Sequence, residues 1–151
     1  MSSIKISDMT AASALDGTEK LASVHNSGNV AVTPSQVKTY VRKNTATAVT
    51  SSSGTLTLNA SLGDYFTVTL TENVTTLAFS NLPGAGLGTT LMLQITQHAS
   101  SPKTFAWPAS FKWAGASAGT VSATNSAVDV LAITTFDNGT TWRATLANGF
   151  A

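Results

Sequence analysis

Apolar and polar side chains alternate in several short runs of this chain, most clearly in DYFTVTLT (64–71) and TTLMLQITQ (89–97). A period of two puts successive residues on opposite faces of an extended strand, whereas a helix needs a period near 3.6. Phe66, Val68 and Leu70, like Leu91, Leu93 and Ile95, are therefore expected to face a core. Thr67, Thr69, Met92, Gln94 and Thr96 then line the opposite face. TLTLNASL, VTTLAFSNL, KTFAW, TVSAT, VDVLAITTF and TTWRATL share the same Thr-, Val-, Leu- and aromatic-rich character, with Gly, Pro, Asn or Ser between them. Short strands at such spacing predict a mainly β fold, a jelly-roll-like β-sandwich over residues 55–151. Asp137-Asn138-Gly139, between VDVLAITTF and TTWRATL, is the strongest hairpin turn in the chain.

The first 44 residues differ from the rest. They hold Lys5, Asp8, Asp16, Glu19, Lys20, Lys38, Arg42 and Lys43, while the longer remainder has only seven charged residues. EKLASVH and NVAVT read as two short strands joined through Asn26, Ser27, Gly28 and Asn29, a β-hairpin. Thr33, Pro34 and Gln36 then combine an N-cap, a first-turn proline and a capping box, which predicts one short α-helix from Pro34. Its apolar face is Val37, Tyr40 and Val41, and Lys38, Arg42 and Lys43 face water. TATAVTSSSG (45–54) has the small polar character of a linker. The expected organisation is an N-terminal docking arm (1–44), a linker (45–54) and the sandwich (55–151).

Eight basic and seven acidic residues leave a net charge of +1, so no field draws nucleic acid or an anionic membrane surface. Charged residues are 10% of the chain, well below the usual quarter or so. The polar surface is consequently Thr, Ser, Asn and Gly, with little repulsion to hold copies apart. The chain has no cysteine, hence neither disulfides nor thiolate metal ligands, and no apolar run of transmembrane length. MSSIKISDMT lacks a signal-peptide core, which predicts synthesis and retention in a cytoplasm until assembly.

Catalytic and metal-binding patterns are weak, and the sequence predicts no enzyme, cofactor or metal. The two histidines, His25 and His98, lie in separate halves. Gly115-Ala116-Ser117-Ala118-Gly119 spells G-x-S-x-G, but it runs into TVSAT, read as a strand, and so lacks the helix of a nucleophile elbow. Asp64 and Glu72 flank one predicted strand, too far apart for a retaining glycosidase pair, and Asp137 belongs to a turn. GAGLG has neither the lysine nor the helix of a phosphate loop. Asn59, Asn73 and Asn138 fit N-x-S/T, which has no meaning without secretion. Asp129, inside VDVLAI, is the unusual carboxylate: among apolar strand residues it needs a partner or an exposed face.

KTFAWPASFKW concentrates aromatic side chains around Pro108. Trp107, Trp113 and the more distant Trp142 are candidates for a ligand or subunit contact, including stacking on a host glycan. The alternative, that they fill the core or an interface between copies, carries more weight, because aromatics dominate core burial in small domains.

ISDMTAASALDGTEKLASVHNSGNVAVTPSQVKTYV resembles a leader of bacteriophage virion structural proteins, tail fibres above all. There I-S-D-x-x-A-A-x-A-L-x-G-x-E precedes a hairpin and T-x-x-Q-I/V-x-x-Y-V/I, met here by Ile6 to Glu19 and by Thr33, Gln36, Val37, Tyr40 and Val41. The resemblance implies a virion component, a homotrimer whose leader docks on the particle and whose β-domain projects. No shaft or repeat of a long fibre is present, and a dock with a knob suits a head-decoration (cement) protein bound to the major capsid protein. A short tail fibre or tail adaptor, with or without glycan binding, is the alternative. Ile4, Ile6, Met9 and Leu15 on the arm, with Val37, Tyr40 and Val41, are the expected docking residues.

Overall fold

The computed structural model describes residues 21–25, 28–32 and 45–150. Contacts divide the chain into two units, Met1–Arg42 and Lys43–Ala151. In the first, β1 (Leu21–His25) and β2 (Gly28–Val32) pair antiparallel, with His25 opposite Gly28 and Leu21 opposite Val32. This is the hairpin that EKLASVH and NVAVT predict. The predicted helix from Pro34 lies outside the described residues, as do Ile4, Ile6, Met9, Leu15, Val37, Tyr40 and Val41.

The second unit is mainly β, as the alternation requires. Its strands are β3 (Ala46–Ala48), β4 (Thr55–Asn59), β5 (Tyr65–Thr69), β6 (Thr76–Ser80), β7 (Thr89–Thr96), β8 (Phe111–Trp113), β9 (Val128–Thr135) and β10 (Trp142–Phe150). A six-stranded sheet has the order β3-β5-β7-β9-β10-β8, and β4 and β6 form a separate two-stranded sheet.

The pairing departs from a jelly roll, which is antiparallel throughout. β3 with β5, β5 with β7, and β8 with β10 are parallel, and so are β4 and β6. In this unit only β7–β9 and β9–β10 are antiparallel strand pairs among the described residues. From β4 to β7 the chain alternates between the sheets, giving one strand to the small sheet and the next to the large one. Each circuit then lays its strands parallel to those of the previous circuit, so the path winds like a coil. Near β9 it reverses, and the Asp137-Asn138-Gly139 hairpin makes β10 antiparallel to β9, as that turn predicts. Asn138 and Gly139 carry φ of 55° and 84°, the left-handed region the turn demands.

The segment 45–54 is not a linker. Ala46–Ala48 adds β3 to the edge of the large sheet, the Val49 amide continues the ladder to the Thr67 carbonyl at 2.8 Å, and Val49 packs on the core. Backbone pairing needs no apolar side chains, so composition cannot reveal such a strand. At its end Gly54 takes φ 76°, and its carbonyl accepts the amides of Thr75 and Thr76 while its amide donates to Glu72 Oε1 at 3.1 Å. A Cβ there would lie 2.8 Å from Thr75 Oγ1, so glycine is required where the two circuits meet.

Two expected strands are absent. KTFAW contributes a single bridge between Phe105 and Val74, and TVSAT is irregular. Pro102 and Pro108 bracket the first and deny it a continuous ladder. Phe111–Trp113, which lies in none of the predicted strands, is a strand because it pairs with β10.

The alternation decides burial as expected. Leu56, Leu58 and Leu77 from the small sheet meet Phe66, Val68, Leu91, Leu93, Ile95, Leu131, Ile133 and Trp142 from the large one in one core. Nearly all of these are excluded from solvent, and such burial stabilises by roughly 1.5–3 kcal/mol per large side chain.

Candidate interaction surface

The aromatic residues singled out from the sequence form part of the core. Trp142 is 0% exposed, opposite Thr135 in the β9–β10 ladder, and its ring stacks on Phe79 with centroids 4.4 Å apart. It can therefore touch neither a glycan nor another subunit. Its indole Nε1 has no hydrogen-bond partner among the described residues. Trp107 is half-buried, tilted against Phe105 at 4.6 Å, and its Nε1 donates to the Gly119 carbonyl at 2.6 Å. Trp113 is half-buried and meets Trp107 and Phe111 edge-on at 5.3 and 5.8 Å. Edge-to-face contacts of this kind lock rings together, whereas a sugar platform needs an open face.

Two polar clusters close this end of the fold. Gln97, 3% exposed, donates through Nε2 to the carbonyls of Lys103 and Ser122 and accepts the amides of His98 and Lys103 at Oε1. One amide group thus replaces strand pairing for two irregular segments, satisfying groups that burial would otherwise leave unpaired. His98 serves the same region: its Nδ1 accepts the amides of Ser100 and Ser101.

Asp129 is the second cluster. It lies on central strand β9, not at an edge or on the surface, and is 2% exposed. Ser122 donates its amide to Oδ2 and its hydroxyl to Oδ1, and Gly149 donates its amide to Oδ1. Burial pushes the carboxyl up, but these hydrogen bonds outweigh it and hold the pKa below the usual aspartate value. The charge is therefore retained inside the fold as a structural clamp. Asp137 is likewise held down by the Thr141 amide and the Thr135 hydroxyl, fastening the hairpin turn. Among the described residues no three His, Asp or Glu side chains group to hold a metal ion.

The accessible surface with a definite composition is the outer face of the six-stranded sheet. Its central rows run Ala46–Tyr65–Met92–Ala132–Thr145 and Ala48–Thr67–Gln94–Val130–Ala147 across five strands. Neither row contains a charge. Tyr65 is 44% exposed, and Phe150, opposite Val128 at the end of β10, is 52% exposed. Charge appears only at one corner, where Lys112 and Arg143 are adjacent on β8 and β10. There Arg143 lies 5.7 Å from the ring centroid of Phe136, which is 67% exposed. Tyr65, Phe136 and Phe150 escaped sequence-based selection because it followed the tryptophans. The alternation already placed Tyr65 outside, since Phe66 faces the core.

No family model, curated protein or solved structure matches this chain.

Proposed function

We propose that this chain is a bacteriophage virion structural protein, a homotrimeric capsid decoration protein that binds the head surface and stabilises it. The observation that carries the reading is the leader, with its I-S-D, A-A, A-L-x-G-x-E and T-x-x-Q pattern ahead of a β-domain. The hairpin at Leu21–Val32 is the element that this pattern expects between its two halves. A second unit with its own core, and little surface charge, suits a knob carried on a particle by a separate arm. The partners in this reading are further copies of the chain and the major capsid protein, with the virion as its location. Nucleic acid, membrane and cofactor have no part in it.

A short tail fibre or tail adaptor is the second reading, favoured by the same leader, which resembles those of fibres most. Glycan binding loses support, because Trp142 is enclosed and Trp107 is fastened at its indole nitrogen.

Electron microscopy of particles mixed with labelled protein tests the assignment. Label spread over the head lattice is the expected result, and label confined to the tail replaces the first reading with the second. Absence from both overturns the virion assignment. A chain lacking residues 1–44 is expected to keep its β-sheet circular dichroism and lose attachment.

A further inference from the structure

We propose that the uncharged outer face of the six-stranded sheet is where a second copy of this chain docks. The inference rests on the self-association in the reading above but changes its symmetry, since two identical faces apposed make a twofold pair whereas a threefold ring joins two different faces. It does not depend on which particle the protein decorates.

The first argument is chemical. The middle of the face is Met92, Val130 and Ala132, bordered by Thr67, Gln94 and Thr145. Methyl groups, a thioether and short neutral polar groups complement another such face as well as any partner surface, since apolar groups meet apolar groups and hydroxyls both donate and accept. A strongly charged partner would find nothing to pair with in these rows. Repulsion between copies is also small, with a net charge of +1 and the Lys112–Arg143 pair displaced to a corner.

The second argument is area. Strands about 4.8 Å apart and roughly 20 Å long give the face on the order of 500 Å2 as a flat rectangle. Two apposed faces then bury about 1,000 Å2, where specific interfaces begin. Sheets pack face to face at about 10 Å, so the docked copies form a sandwich that a single chain lacks on this side. Edge addition is the less suitable route. Both edges of the large sheet are three-residue strands, β3 and β8, and the second carries Lys112, features that blunt strand-on-strand pairing.

Sedimentation velocity of the full chain over a range of concentrations, with three single variants, tests the proposal. Val130→Glu puts a carboxylate at the centre of the face, and Gln94→Glu changes only an exposed amide, so it keeps the test open if Val130→Glu does not fold. Thr57→Lys, on the exposed side of β4 in the other sheet, is the control. The wild type and Thr57→Lys are expected to associate alike, and each glutamate variant to weaken association by about tenfold or more. Folded glutamate variants that associate like wild type overturn the proposal, and so does a wild-type chain that is monomeric at every concentration. Head binding by a monomeric wild type would leave the decoration reading standing without this interface. Association without head binding would do the reverse.

Discussion

Asp129 and Ser122 are joined twice: the Ser122 amide reaches Oδ2 at 2.6 Å and its hydroxyl reaches Oδ1 at 2.7 Å. The pair fixes the irregular segment before β9 to the strand itself, and the Gly149 amide, 2.9 Å from Oδ1, adds the end of β10. Truncating the carboxylate takes the acceptor from the part-buried Ser122 amide and hydroxyl and from the Gly149 amide, so Asp129→Ala is expected to cost about 2–3 kcal/mol in urea unfolding. Ser122→Ala removes only the hydroxyl bond and is expected to cost about 1 kcal/mol. Equal losses in the two variants would show that the carboxylate does not act as the clamp.

Both Asp129 and Asp137 have pKa values depressed in the folded state. A carboxylate with a folded pKa below its unfolded value stabilises the fold above the unfolded value, and that contribution disappears as pH falls through the folded one. Stability is therefore expected to be flat with respect to these groups from neutral pH down to about 5, and to decline below about pH 4. In Asp129→Asn the acid decline is expected to be shallower, on a lower plateau. Urea midpoints measured from pH 2 to 7 would check this, and an unchanged acid slope would rule out a linkage through Asp129.

Gly119 is required by contact. A Cβ on it would stand 2.8 Å from Leu146 Cβ and 3.1 Å from Trp113 Cζ3. Gly119→Ala is expected to cost about 2 kcal/mol by overpacking and to loosen the Trp107 indole bond to the Gly119 carbonyl. Pairing it with Leu146→Ala, which keeps Cβ but removes the Cδ2 atom that would stand 2.9 Å away, should recover part of the loss, and thermal melts of the two single variants and the double variant would read the coupling. Strict additivity would contradict the contact.

Trp142 contributes volume but leaves its Nε1 unpaired among the described residues. Trp142→Ala is expected to cost about 3–5 kcal/mol, as large cavities do. Trp142→Phe keeps a ring against Phe79 and removes the unpaired donor, so its loss is expected to be about 1 kcal/mol. Denaturant titration separates these outcomes, and a phenylalanine variant as unstable as the alanine one would mean that the indole nitrogen has a partner.

Sequence alone determined which side chains go inside. Phe66, Val68, Leu91, Leu93 and Ile95 are buried where the period of two places them, and Tyr65, Met92 and Gln94 face outward, because alternation is a local property of an extended backbone. The hairpins at Leu21–Val32 and at β9–β10 were legible for the same reason: their turn residues act over a few positions. Tertiary structure decided which strands are neighbours and in which direction they run. Parallel pairing of Thr55–Asn59 with Thr76–Ser80, or of Ala46–Ala48 with Tyr65–Thr67, is made through backbone groups that every residue possesses, so no side-chain pattern announces it. Asp129 shows the same division. Its oddity was visible in VDVLAI, but Ser122 and Gly149 meet it only once the strands and the segments around them have been brought together.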